Sequence, residues 1–207
     1  MNEKEKGELI RLSNDHFKGH GKSFGCLNPL CENKEVIGSH SVSQKFLNTI
    51  KEDGHVWRFA LDEDKNGTSK LSNRIPLSKA SKFRGFCGEC DNKLFEPFET
   101  YDICLCKEHL SLLAFRSVAK EFHSKKSALE FYSSVLPVYS ENDLTVKLGK
   151  VRAQKFSEAF KNSERVITDG FYNQYEHHVY IFSGKPFIMA SSVSMSDILP
   201  SNRRLKI

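Results

Sequence analysis

Two separated pairs of cysteines constrain the fold of this chain more than any other feature. Four residues lie between Cys26 and Cys31, and two residues lie between Cys87 and Cys90. Cysteine pairs divided in this way commonly hold one tetrahedral zinc ion between distant segments of a chain. The sequence therefore predicts one structural Zn²⁺ site with all four cysteines as ligands. The alternative is two unrelated pairs of buried thiols.

A second group of soft ligands follows the frame. Cys104, Cys106 and His109 have the spacing Cys-x-Cys-x₂-His, which can bind a metal ion. Cysteines at such a position also serve as small apolar residues at the start of a helix. The sequence leaves both interpretations open.

Composition limits the class of protein. The chain has 207 residues, 39% of them hydrophobic, which is enough to bury a core. No apolar run approaches the roughly 20 residues that span a bilayer, and the charged start lacks the apolar stretch of a signal peptide. We therefore expect a cytoplasmic protein without a membrane partner, in which cysteines bind metal or stay reduced. The formal charge of +5 permits a nucleic-acid partner without requiring one.

Hydrophobic periodicity predicts several elements along the chain. It favours helices at 43–51, 107–136 (with a break near His123-Ser124) and 141–162, a strand at 55–60, a charged surface loop at 62–73, and strands at 175–182 and 187–193. The predicted regions are a polar lead-in (1–24), a zinc-bound module (25–106), a helical region (107–165) and a C-terminal β-hairpin region (166–207). The fold class is α+β, with the small zinc module embedded in a mainly helical domain.

One histidine lies between the two cysteine pairs, and an acidic residue follows the second pair. His40 follows Ser39 at the end of a short predicted strand, and Asp91 and Asn92 come directly after Cys90. At these residues the chain resembles HNH, or ββα-metal, endonucleases whose cysteine frame is of the endonuclease VII type. In those enzymes a strand ends in Asp-His, and an Asn follows the second Cys-x₂-Cys at a helix start. The resemblance implies a ββα finger with His40 as general base and Asp91 as ligand of a catalytic Mg²⁺ or Mn²⁺ ion.

Ser39 departs from the family pattern, because it stands where the family carries Asp or His. A hydroxyl is a poor replacement for a carboxylate on Mg²⁺. Such a site must recruit another carboxylate, bind the metal ion through water, or be weak or inactive. Glu99 is the predicted replacement, since residues 91, 95 and 99 share one helix face, although Pro97 would kink that helix. Asn92 is predicted to orient His40 or to bind phosphate. The alternatives for His40 are a structural histidine at the strand end or a further zinc ligand, and the alternative for Asp91 is an N-capping role.

A basic group precedes the second cysteine pair. Lys79, Lys82 and Arg84 are predicted to neutralise phosphates of a bound nucleic acid, with DNA preferred over RNA, although such runs are usually a solvated face. The resemblance extends to poorly characterised bacterial HNH-like proteins, some linked to phage defence. The predicted function is metal-dependent phosphodiester hydrolysis, in a defence setting. The alternative is a non-catalytic zinc finger that binds or assembles with a partner, or with a second copy, through the C-terminal hairpin.

Overall fold

The computed structural model describes residues 23–63, 69–100, 104–135 and 144–172, together with Gly7, Arg11, Leu12 and His16. In chain order the elements are β1 (Ser39–His40), α1 (Gln44–Ile50), β2 (His55–Glu63), β3 (Ser69–Pro76), a 3₁₀ turn (Leu77–Lys79), β4 (Lys82–Phe83), α2 (Gly88–Thr100), α3 (Lys107–Val135), α4 (Leu144–Ser163) and α5 (Arg165–Thr168). All strands of these segments lie before α2, and the last four elements are helices.

A two-stranded sheet leads into α2. β1 pairs with β4 in antiparallel register, which sets Ser39 opposite Phe83 and His40 opposite Lys82. α2 begins at Gly88, inside the second cysteine pair, and continues through Pro97 to Thr100. The backbone amide of Ile37 bonds to the carbonyl oxygen of Phe86 at 2.9 Å, which ties the approach to β1 to the approach to α2.

A separate small unit is inserted between β1 and β4. It contains α1 and the β2–β3 hairpin, which form their own buried cluster around Leu47, Val56 and Leu77. Ser43 caps α1, and its hydroxyl accepts a hydrogen bond from the amide of Lys45 at 3.2 Å. An N-cap serine satisfies an amide that the helix itself leaves unpaired. The predicted helix at 43–51 and strand at 55–60 are thus confirmed.

Phenylalanine side chains build the main core. α2, α3, α4 and α5 all contribute to one buried cluster with the cysteine frame. Its aromatic members are Phe83, Phe86, Phe95, Phe98, Phe115 and Phe160. The rings of Phe86 and Phe95 meet edge to face, with centroids 5.1 Å apart, a geometry that aromatic pairs prefer. The second cysteine pair and the start of α2 therefore pack against residues of several other elements.

Two local predictions were wrong. The charged segment at 62–73 is not a single loop, because Ser69–Pro76 forms β3 and pairs with β2. Cross-strand pairing overrides a polar composition when one face can still pack. The predicted break near His123-Ser124 is absent, since α3 is continuous from Lys107 to Val135 and contains neither Gly nor Pro. The His123 ring is buried against Phe24 and Phe83, so this polar residue belongs to the inner face of α3.

The predicted hairpin strands at 175–182 and 187–193 lie outside the described residues. The domain boundaries stay a prediction. Among the described helices, none combines the length and apolar character that crossing a membrane requires.

Candidate metal centre

The two cysteine pairs meet in space. The sulfur atoms of Cys26, Cys31, Cys87 and Cys90 all lie within 4.8 Å of one another. Sγ of Cys31 is 3.9 Å from Sγ of Cys87. A tetrahedral zinc ion with Zn–S bonds of about 2.3 Å places its sulfur ligands about 3.8 Å apart. The cluster therefore has the ligand type, number and spacing to hold a structural zinc ion.

Backbone amides point at the sulfur atoms. The amide of Cys87 donates to Sγ of Cys26 at 3.4 Å, and the amide of Cys90 donates to Sγ of Cys87 at 3.4 Å. The side-chain amide of Asn28 donates to Sγ of Cys90 at 3.1 Å. Hydrogen bonds to a thiolate favour its charged form, which is the form that binds metal. The tight turns around both pairs thus serve the metal-binding state.

Burial and hydrogen bonding act in opposite directions on the thiols. Burial raises the pKa of Cys26 and of Cys90. For Cys87 burial also raises the pKa, but the amide of Cys90 and the neighbouring thiols outweigh it, so the pKa lies below its ordinary value. A metal ion supplies the positive charge that allows buried thiols to ionise together.

A buried polar cluster adjoins the cysteines, and Arg116 is its centre. Arg116, on α3, is 1% exposed, and its guanidinium lies 4.4 Å from the ring centroid of Phe95. Nη1 donates to Oε1 of Glu99 at 2.8 Å, and Nη2 is 3.8 Å from Oδ1 of Asp91. Residues 91, 95 and 99 therefore do share one face of α2, despite Pro97.

Burial and three neighbouring groups act on the carboxyl group of Asp91. Burial raises the pKa of its carboxyl group, Arg116 and the hydroxyl of Ser39 lower that pKa, and Glu99 raises it. Ser39 is fully buried and near Asp91, although its Oγ makes no hydrogen bond of ordinary geometry within the described part of the chain. Oδ1 of Asp91 and Nε of Arg116 are likewise buried without a hydrogen-bond partner there. Buried polar atoms in this condition usually indicate a water molecule or an ion.

His40 has a different neighbourhood. The residue is half-buried, and its Nε2 atom is buried. It lies opposite Lys82 in the sheet, so these two side chains share a face of the sheet. Adjacent strand residues point to opposite faces of a sheet, so His40 and Ser39, which lies near Asp91, are on opposite faces. β1 ends at His40, where the chain turns into a bend.

The remaining predicted site residues are at the surface. Lys79, Arg84 and Asn92 are exposed, and Lys82 is half-buried because its aliphatic part lies over Gly38. Sequence reasoning missed the contributions of Arg116 and Asn28. A lone arginine between the apolar positions Phe115 and Val118 was the available signal for a buried ion pair.

Cys104, Cys106 and His109 form a second group that could hold a metal, with one ligand atom of each residue within 4.8 Å of the others. It lies at the start of α3, and Cys104 is exposed.

Comparison with protein-family models, curated proteins and solved structures found no significant match to this chain.

Proposed function

We propose that the chain is a metal-dependent, HNH-like endonuclease that cleaves phosphodiester bonds in nucleic acid, with DNA as the preferred substrate. One observation carries the proposal. Ser39 and Asp91 occupy the two positions that correspond to metal ligands in the family it resembles, and they meet beside the cysteine cluster. Both keep a buried oxygen atom without a hydrogen-bond partner among the described residues.

The order of elements supports the same proposal. β1, its antiparallel partner β4 and then α2 give the succession strand, strand, helix, and the second cysteine pair lies at the start of that helix. In this arrangement a structural zinc ion would fix β1 and α2 relative to each other. The insertion of α1 and the β2–β3 hairpin lengthens the connection without changing the pairing of β1 with β4.

Asp91 and Ser39 fit a hydrated divalent ion better than a fully protein-ligated one. Mg²⁺ is usually held by one or two carboxylates and keeps several water molecules. Asp91 would bind the ion, while Glu99 already bonds to Arg116 and would contribute only by sharing. Such an ion supplies charge stabilisation at the phosphate and at the leaving oxygen.

The chain's own residues would supply the proton transfer and the substrate contacts. His40 is the general base, because an imidazole is the side chain that best exchanges protons near neutral pH. Lys82 shares a sheet face with His40, so one phosphate can lie between a base and a cation. Lys79 and Arg84, both exposed, lie on either side of β4 in the chain. We call Lys79, Lys82 and Arg84 the basic strip.

The test is cleavage of supercoiled plasmid, single-stranded DNA and RNA by purified protein with Mg²⁺ or Mn²⁺. His40→Ala should lower the cleavage rate about 100-fold or more, because a positioned general base contributes roughly that factor. His55→Ala is the matched control, since His55 lies on the inserted hairpin. Zinc content should be the same in all three proteins. Absence of cleavage by the wild type on every substrate, or equal rates for His40→Ala and the wild type, would refute the proposal.

A second candidate is a non-catalytic zinc module that binds or assembles with a partner. The ion pairs of Arg116 favour it, because its guanidinium already lies close to both carboxylates and offsets part of their charge. The alternation of β1 favours it too, because Ser39 lies near Asp91 and His40 is on the opposite face of the strand. In this case His40→Ala keeps both zinc and partner binding, and substitution of the basic strip weakens nucleic-acid binding without any cleavage to lose.

A further inference from the structure

The start of α3 carries an unexplained group of ligand side chains. One ligand atom each from Cys104, Cys106 and His109 lies within 4.8 Å of the other two. The amide of Cys106 donates to Sγ of Cys104 at 3.2 Å, which is the same kind of N–H···S contact that surrounds the four-cysteine cluster. A short stretch of chain thus brings three side chains that can bind zinc close together.

Apolar burial does not account for these cysteines. Cys104 is exposed and Cys106 is half-buried, and the intervening Leu105 is 53% exposed. Cysteines that act as small apolar residues are among the most buried side chains in proteins. The exposed thiols at the helix start therefore need another explanation.

His109 supplies a second, independent observation. Its Nδ1 is buried and has no hydrogen-bond partner among the described residues. The ring meets Phe98 edge to face at a centroid distance of 6.0 Å, and this packing fixes its position. A buried ring nitrogen normally has a partner, and coordination of a metal ion at Nδ1 would provide one.

We propose that Cys104, Cys106 and His109 form a second zinc site, separate from the four-cysteine cluster. Two thiolates and an imidazole are ligands that Zn²⁺ prefers, and the fourth position is left to water or to an external ligand. This inference does not depend on the proposed nuclease activity. A site with an open position differs in kind from a closed structural site, since the open position can accept a ligand.

Zinc stoichiometry of the full chain tests the proposal. After zinc loading under reducing conditions and gel filtration, Cys104→Ser/Cys106→Ser should carry one zinc ion per chain fewer than the wild type. Both proteins retain the four-cysteine cluster, so its zinc content cancels when the two are compared. Leu105→Ala, in the same turn, is the matched control and should equal the wild type. Equal zinc in the double variant and the wild type would overturn the proposal.

Cobalt provides a second measurement. In Co²⁺-loaded protein the thiolate-to-metal absorption of the double variant should fall by about one third, because it loses two of six cysteines as ligands. His109→Ala should change the visible Co²⁺ bands without a change in thiol number. Titration of the denatured, chelated wild type should give six free thiols. Four free thiols would indicate a Cys104–Cys106 disulfide and would also overturn the proposal.

Discussion

At the scale of single residues, Arg116 decides how the polar cluster is built. Its guanidinium is buried, lies over Phe95, and bonds to Glu99 while facing Asp91. Burying an arginine is costly unless carboxylates compensate its charge. Asp91 and Glu99 therefore have a structural task, whether or not they also bind a catalytic ion. The same two carboxylates are thus compatible with an endonuclease and with a non-catalytic zinc module.

Replacement of Arg116 should destabilise the protein strongly. Arg116→Met leaves two carboxylates near the core without their cation, and breaking a buried pair in this way costs about 3 to 5 kcal/mol. The control is Arg165→Met, which breaks an exposed pair with Asp169 and should cost less than about 1 kcal/mol. Urea unfolding of both variants measures the difference. Equal free energies of unfolding would show that the Arg116 pairs contribute no more than the exposed pair of Arg165 with Asp169.

At the scale of elements, aromatic contacts hold the sheet, α2 and α3 together. Phe86 lies between β4 and α2 in the chain and is fully buried. Its ring contacts those of Phe83, Phe95 and Phe115. β1 and β4 have only two residues each, so their pairing alone is marginal. The position of β1 relative to α2 depends on this packing and on the cysteines.

Truncation of Phe86 should loosen the site as well as the core. Phe86→Ala removes a fully buried ring, which costs about 3 to 5 kcal/mol in protein cores. Trp57→Ala, on the exposed side of β2, is the control and should cost about 1 kcal/mol or less. Thermal unfolding gives both values. A cost for Phe86→Ala no larger than that for Trp57→Ala would contradict the role assigned to this ring.

At the scale of the molecule, the four-cysteine cluster joins segments that are far apart in the chain. Its first pair lies in a loop with little regular structure, and its second pair opens α2. Within the described part of the chain, few backbone hydrogen bonds tie that loop to the rest, and one of them joins the amide of Leu27 to the carbonyl oxygen of Gly85 at 2.7 Å. A metal ion at the cluster would therefore act as the main cross-link of this part of the fold.

Removal of zinc should lower stability through this cluster. A structural site contributes its binding free energy to folding, so chelation under reducing conditions should lower the Tm by at least about 10 °C. Cys104→Ser/Cys106→Ser keeps the four-cysteine cluster and should show the same drop. Near-UV circular dichroism follows the loss of aromatic packing. A Tm unaffected by complete removal of zinc would show that the cluster is not structural.

The sequence by itself determined the cysteine frame and most of the described helices. Ligand spacing and helical periodicity are local properties, which is why Cys87-x₂-Cys90, α1 and α4 were predictable. It did not determine β3, because a polar segment becomes a strand only when a partner strand is available. Nor did it reveal that Arg116 lies between Asp91 and Glu99, since α3 and α2 meet only after folding. The tertiary structure alone decided which charges share the buried cluster, and long-range packing is the physical reason.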